Sequence, residues 1–238
     1  MEMQAYSEKQ LVEEFQGLLA RYLEESSTKF ILETEVSAGR SIADIVALIT
    51  PEIIDPPIKK TLNALESVII STLRQNGSTR IDILEKRCGM PQKSLRNGSI
   101  NRLINWGLVD KGPGGRISLT NNWSNHYRII AIEAKLYKWQ QALEQAISYK
   151  KYADDVYVLL PAKNTPLDQT SIEKFKANGV GLITICQNKI KIVIPSVYNQ
   201  FHDWSRDFVL SRLLVKGKSD LRDINEKKYS SKSSKYSS

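Results

Sequence analysis

The sequence predicts an α/β protein, a mixed sheet flanked by helices and interrupted by a helical block of different character. Three observations lead there. Short apolar runs rich in β-branched residues alternate with helical patterns through the C-terminal half, as in an α/β core. One run, Ile129-Ile-Ala-Ile132, reads as a buried strand yet ends in Glu133 and Lys135, whose spacing of two places both side chains on one face. Charge is also segregated: 4 Lys+Arg against 11 Asp+Glu over residues 1–55, 11 against 4 over 56–125, 12 against 8 over 126–215, and 7 against 3 over 216–238. The acidic opening suits cations, and the basic centre suits a polyanion.

With 238 residues, 41% of them hydrophobic, the chain has room for one large domain or two small ones. Its two cysteines, Cys88 and Cys186, suit a reducing compartment and no disulfide framework. They are too few for a zinc cluster, and His126 and His202 add no ligand spacing of that kind. The N-terminus is polar and acidic, unlike a signal peptide, and no apolar run approaches the roughly 20 residues that span a bilayer. The expected location is cytoplasmic, with no membrane partner.

Along the chain, Ser7 is placed to cap a helix over 8–25 with Leu11, Phe15, Leu18, Leu19, Tyr22 and Leu23 as its apolar stripe. Glu14 lies at the stripe's edge, either as a solvated surface acid or in a functional role. Lys29–Val36 and Ser41–Ile49 read as two strands around Ser37-Ala-Gly-Arg40. The second is apolar except for Asp44, and a lone buried acid needs a cation, a metal or dense hydrogen bonding. Pairing with Arg40 is the structural alternative; the Glu133-x-Lys135 pair elsewhere favours a metal ligand. That pair has its own structural alternative, an ion pair on an edge strand.

Asp55-Pro56-Pro57 ends this unit. A helical pattern then runs from Ile58 to Gln75 and stops at Asn76-Gly77, followed by a short helix over Ile81–Arg87 and a helix opened by Pro91. Gly98 weakens the middle of that helix. Leu108–Leu119 reads as a hairpin with a glycine-rich tip. Beyond the strand ending in Glu133, the pattern gives a helix over 138–152, strands at 155–160, 181–186 and 189–195, a helix at 171–176 and a closing helix over 201–215. The Ser- and Lys-rich segment 216–238 reads as a disordered basic tail.

The order helix, helix, turn, helix and hairpin, with Ile100-Asn-Arg-Leu-Ile-Asn-Trp-Gly-Leu-Val-Asp-Lys111 running from helix into hairpin, resembles a winged helix-turn-helix domain over about residues 58–120. The resemblance implies that Gln92, Lys93, Arg96, Asn97, Asn101 and Arg102 lie on or near a helix that enters a DNA groove, with Lys111 and Arg116 on the wing against phosphate. A winged helix used for protein contacts is the alternative, against which the basic charge of the block argues.

The remaining segments, with Asp44 on a paired strand and Glu133-Ala-Lys135 closing the next, resemble the PD-(D/E)xK nuclease superfamily and its restriction-endonuclease-like fold. Gln145-x-x-x-Tyr149 is similar to a Gln-x3-Tyr element of some branches, and Glu14 falls where several branches carry a first-helix glutamate. There is no proline before Asp44, and the 58–120 block separates Asp44 from Glu133, as expected of an insertion. The implied organisation is a nuclease-like core from 1–55 and 126–215, an inserted DNA-binding domain at 56–125 and a tail at 216–238. The implied catalytic residues are Asp44, Glu133 and Lys135. Asp44, Glu133, the Ala134 carbonyl and Glu14 would hold Mg²⁺, for which Mn²⁺ would substitute, and Gln141, Gln145 and Tyr149 would position substrate. The function implied is a Mg²⁺-dependent DNA endonuclease, as in restriction, phage defence, mobile-element processing or repair. A non-catalytic DNA-binding protein or regulator with a nuclease-like core is the alternative. Expected partners are double-stranded DNA and, in a homodimer, a second copy of the chain.

Overall fold

The computed structural model describes residues 6–26, 28–39, 41–50, 58, 60–89, 91, 93, 95–120, 123, 127–165 and 168–217. Arg40, Asp55-Pro56-Pro57, Gln92 and the tail from 218 onward lie outside the described residues. In chain order the elements are α1 (Glu8–Glu25), β1 (Lys29–Ala38), β2 (Ser41–Thr50), α2 (Ala64–Asn76), β3 (Thr79–Arg80), α3 (Ile81–Cys88), a π-helical turn (Leu95–Ile100) leading into α4 (Asn101–Asn105), β4 (Val109–Lys111), β5 (Arg116–Leu119), β6 (Arg128–Ala134), α5 (Trp139–Tyr149), β7 (Asp155–Pro161), α6 (Gln169–Asn178), β8 (Gly181–Cys186) and β9 (Lys189–Ile194). A last helix, α7, covers 205–217. Residue contacts divide the chain into two units: 1–53 with 124–209, and 54–123 with 210–238.

The first unit is an α/β layer structure around a six-stranded mixed sheet of order β1-β2-β6-β7-β8-β9. The inner pairs β6–β7 and β7–β8 are parallel, and the pairs outside them are antiparallel. Each parallel connection crosses over through a helix, α5 and then α6, as parallel pairing requires. Ser7 caps α1 reciprocally with Gln10, the serine Oγ accepting the Gln10 N–H at 3.2 Å and Gln10 Oε1 accepting the Ser7 N–H at 2.7 Å. Leu11 and Phe15 of α1 pack on Ile45, Ile132, Ala134, Leu159 and Ile183, so α1 covers one face of the sheet. Tyr22, expected in the buried stripe, is 65% exposed.

Glu133 lies between Ile132 and Ala134 and so points to the opposite face. There α5 buries Ala142, Leu143, Ala146 and Tyr149. The Trp139 and Phe175 rings, 5.8 Å apart, set α6 beside α5. At Gly181 an added Cβ would come within 2.3 Å of the Tyr157 ring and 2.8 Å of the Ser196 nitrogen, so only glycine allows this close approach.

The N-terminal ends of β6 and β7 are fastened by two buried aspartates. Asp154 accepts the Ile129 N–H at 2.6 Å and Arg206 Nη1 at 2.8 Å, and Arg206 also donates to the Tyr127 carbonyl at 2.9 Å. Asp155 accepts Arg128 Nε at 2.5 Å and Ser196 Oγ at 2.6 Å.

In the second unit, α2 begins at Ala64 rather than near Ile58. Asn63 and Glu66 form a capping box there, and Ile58 and Leu62 are buried ahead of the helix. The helix ends at Gly77, φ 66°. The weak middle of the next helix, at Gly98, is a π-helical turn, as occurs where an α-helix takes up an extra residue. Strands β3, β5 and β4 form an antiparallel sheet in that order, with Pro113–Gly115 at the tip. The closing helix, assigned from sequence to the first unit throughout, changes unit at Val209/Leu210; Ser211 Oγ accepts the Leu62 N–H at 3.1 Å.

Candidate active site

Three of the expected residues meet at the C-terminal end of β6. The β2–β6 ladder closes with Ile45 opposite Ile132; one step further Asp44 lies across from Glu133. Asp44 Oδ2 accepts the Ala134 N–H at 2.7 Å. On its other side the β1–β2 ladder passes from Thr34↔Ile45 to Val36↔Ala43, skipping the Glu35–Asp44 pair. Glu35 has φ 52°, a strained value for a non-glycine residue inside a strand. The regular ladder is therefore interrupted at the acid that sequence singled out.

Glu133 is 1% exposed. One carboxylate oxygen lies 3.0 Å from Lys135 Nζ, and the other accepts the Tyr149 hydroxyl. That hydroxyl also lies 2.7 Å from the Ile42 carbonyl oxygen, so it stands between an acceptor on β6 and one on β2. Lys135 follows directly on β6; its N–H donates to the Leu159 carbonyl at 3.1 Å, and Nζ lies 3.5 Å from Glu8. Glu8, at the start of α1, also accepts the Leu136 N–H at 3.4 Å.

Electrostatically the cluster carries more acid than cation. Burial raises the Asp44 carboxyl above its usual range; the Ala134 N–H and Lys135 oppose this, while Glu8 and Glu35 add to it. Burial likewise raises Glu133, helped by the Asp44 charge and resisted by Tyr149 and Lys135. Burial works against the Lys135 ammonium, yet its bond to Glu133 and the charges of Glu133, Asp44 and Glu8 hold its pKa above normal. Lys135 is therefore a fixed cation at neutral pH. Burial and the bond to Glu133 push the Tyr149 phenol far up, so it stays a donor.

Other expected residues fall elsewhere. Glu14 accepts the Tyr6 hydroxyl at 2.5 Å; the first-helix glutamate at Lys135 is Glu8 instead. Tyr149, expected against substrate, is 1% exposed and positions Glu133. Gln141 and Gln145 are exposed on α5. In the second unit Arg102 pairs with the buried Glu66 and lies 5.8 Å from the centre of the Trp106 ring, so it braces the unit. Arg116 donates to Ser78 Oγ at 3.2 Å and to the Ser78 carbonyl at 2.7 Å. Lys93, Asn101 and Lys111 are exposed, and Arg96 and Asn97 fall in the π-helical turn. Sequence reasoning missed Glu8 because nothing local links the first turn of α1 to a strand end 127 residues away.

The donor set suits a hard divalent cation. Asp44 and Glu133 offer carboxylate oxygens, and the Asp44 charge raises the Glu133 carboxyl, a repulsion that a cation would relieve. Among the described residues no group of three or more His, Cys, Asp or Glu is arranged to hold a metal. Two carboxylates are oxygen donors of the kind Mg²⁺ takes, unlike the nitrogen and sulfur donors usual at zinc.

Among the described residues no helix is long and apolar enough to cross a membrane. No family model matches the chain, and no curated protein matches it. Among solved structures, the chain is similar to a protein of unknown function from Silicibacter pomeroyi at 12% identity and a TM-score of 0.43, the match covering 94% of this chain and 96% of the other.

Proposed function

We propose that the protein is a metal-dependent DNA endonuclease with a restriction-endonuclease-like core, and that the unit around 58–120 is a winged helix that grips duplex DNA. The observation that carries this reading is the meeting of Asp44, Glu133 and Lys135 at one buried strand end, with acid in excess of cation. Such a site lies outside the carboxyl ends of parallel strands, where open α/β sheets bind their ligands. Phosphodiester hydrolysis has to neutralise charge developing on the phosphate oxygens and supply a nucleophile near neutral pH.

Asp44 and Glu133 would hold Mg²⁺, which when bound supplies charge neutralisation and a lowered water pKa. This chain's own residues do the rest. Lys135, protonated and anchored by Glu133, presents a fixed positive charge to the phosphate. Tyr149 holds the Glu133 carboxylate in one orientation from the buried side. Helix α5 starts next to the site at Lys138 without a side-chain cap, and Gln141 is exposed on its first turn, so N–H groups and an amide are available to a polyanion.

The test is cleavage of plasmid and duplex oligonucleotides by the full chain with Mg²⁺, with Mn²⁺ and with EDTA. Cleavage with either metal and none with EDTA supports the reading; no cleavage with any divalent cation overturns it.

A further inference from the structure

The chain just after Lys135 carries two aromatic residues with opposite fates, Tyr137 on the loop and Trp139 at the start of α5. Trp139 is half-buried, 5.8 Å from the Phe175 ring and covered by Lys174 Nζ at 5.7 Å. Tyr137, two residues earlier, is 62% exposed. Its exposure does not come from a loose backbone. On one side, the Lys135 N–H is held by the Leu159 carbonyl at 3.1 Å and the Leu136 N–H by Glu8 at 3.4 Å, while the Leu136 carbonyl accepts Asn164 Nδ2 at 2.5 Å. On the other side, Lys138 takes a left-handed conformation, φ 52°, and its carbonyl accepts the Ala142 N–H of α5 at 3.2 Å.

A large ring is thus exposed to water on a loop whose backbone is pinned on both sides, within two residues of the active-site lysine, a stretch of chain that spans at most about 7 Å. The same end of the sheet exposes Lys138 and, on the turn after β7, Lys163. An exposed aromatic ring near cations is what proteins use to stack on nucleic-acid bases, and a backbone already pinned leaves fewer torsions to order on binding.

We propose that Tyr137 is a base-stacking, substrate-positioning residue, and that the preferred substrate is duplex DNA interrupted by a gap next to the scissile phosphate. In continuous duplex both faces of every base are covered by neighbours, whereas a gap leaves a base face open to the ring. The inference rests on the nuclease reading for its substrate, but its test does not depend on cleavage.

A duplex with 2-aminopurine at the edge of a one-nucleotide gap, and the same sequence as continuous duplex, are titrated with full-length protein in EDTA. Wild type is expected to bind the gapped duplex about tenfold more tightly than the continuous one and to change the 2-aminopurine fluorescence. Tyr137→Ala is expected to lose both the preference and the fluorescence change, and Tyr137→Phe to keep them. Equal affinity of wild type for the two duplexes, or a preference that survives in Tyr137→Ala, overturns the proposal. Tyr137-dependent binding without cleavage under any metal leaves stacking standing and removes the nuclease reading. Absence of any DNA binding by wild type removes both.

Discussion

The two ends of the β6–β7 strand pair both bury acids, and they treat them in opposite ways. At the N-terminal end Asp154 and Asp155 are 1% and 2% exposed, and each is met by its own arginine, with the Ile129 N–H and Ser196 as further donors. At the C-terminal end Asp44 and Glu133 share one lysine, Glu8 draws on the same lysine, and both carboxyls are raised. Acids matched one to one by cations fasten strands together. Acids outnumbering their cations keep an unmet demand for positive charge, which a folded protein retains at the expense of stability where binding or catalysis needs it.

The comparison breaks most decisively at the unmatched end. Glu133→Ala and Lys135→Ala are expected to lower Mg²⁺-dependent cleavage about a thousandfold or more while circular dichroism and DNA affinity stay near wild type. Loss of folding together with cleavage would make that end structural too. The matched end should respond in stability. Arg206→Ala leaves Asp154 buried without its guanidinium and is expected to cost about 3–5 kcal/mol in denaturant unfolding; a cost under about 1 kcal/mol would erase the distinction.

A smaller effect of opposite sign is expected at Asp44. Its carboxyl and that of Glu133 are raised, so the folded chain binds these protons more tightly than the unfolded one. The contribution is present at low pH and lost as pH climbs from the ordinary carboxylate range through the raised values. Asp44→Asn should therefore melt about 2–4 °C above wild type without metal at neutral pH, and the gap should close on acidification. Divalent metal should raise wild type more than the variant. The smallest effect extends the rule to the second unit, where Arg102 is already engaged by Glu66 but Lys111 is exposed. Lys111→Glu is expected to flatten the log–log salt dependence of duplex binding by about 1.

Elements whose signals are local were legible in the sequence. The Ser7 cap, the β-branched run of β6 and the Asn76-Gly77 stop each depend on neighbours a few residues away. The start of α2 was not, because a helical pattern from Ile58 does not show that Asn63 and Glu66 cap each other and set the first turn at Ala64. Within the site, Asp44, Glu133 and Lys135 could be picked out because charge inside an apolar strand is costly wherever the strand ends up. Glu8 could not, nor could the inward turn of Tyr149, because both are set by partners brought near only by the folded sheet. Arg102 is the mirror case: in sequence it reads as a DNA contact, and only the fold brings it to Glu66, 36 residues away.

The division of α7 at Val209/Leu210 bears on the order in which the chain is made. Leu210, Leu213 and Leu214 are buried and belong with residues 54–123, where Ser211 also holds the Leu62 N–H. A ribosome that has released 54–123 has not yet made the helix that completes their unit, while β6 to β9 of the other unit are being synthesised in between. Domains generally fold as units, N-terminal parts first. Here the basic unit must wait for the last described helix, so a chain interrupted before 210 would carry the strand-end acids without a finished partner unit. Completion of the basic unit is in this way delayed until β6 to β9 and the first part of α7 have been made.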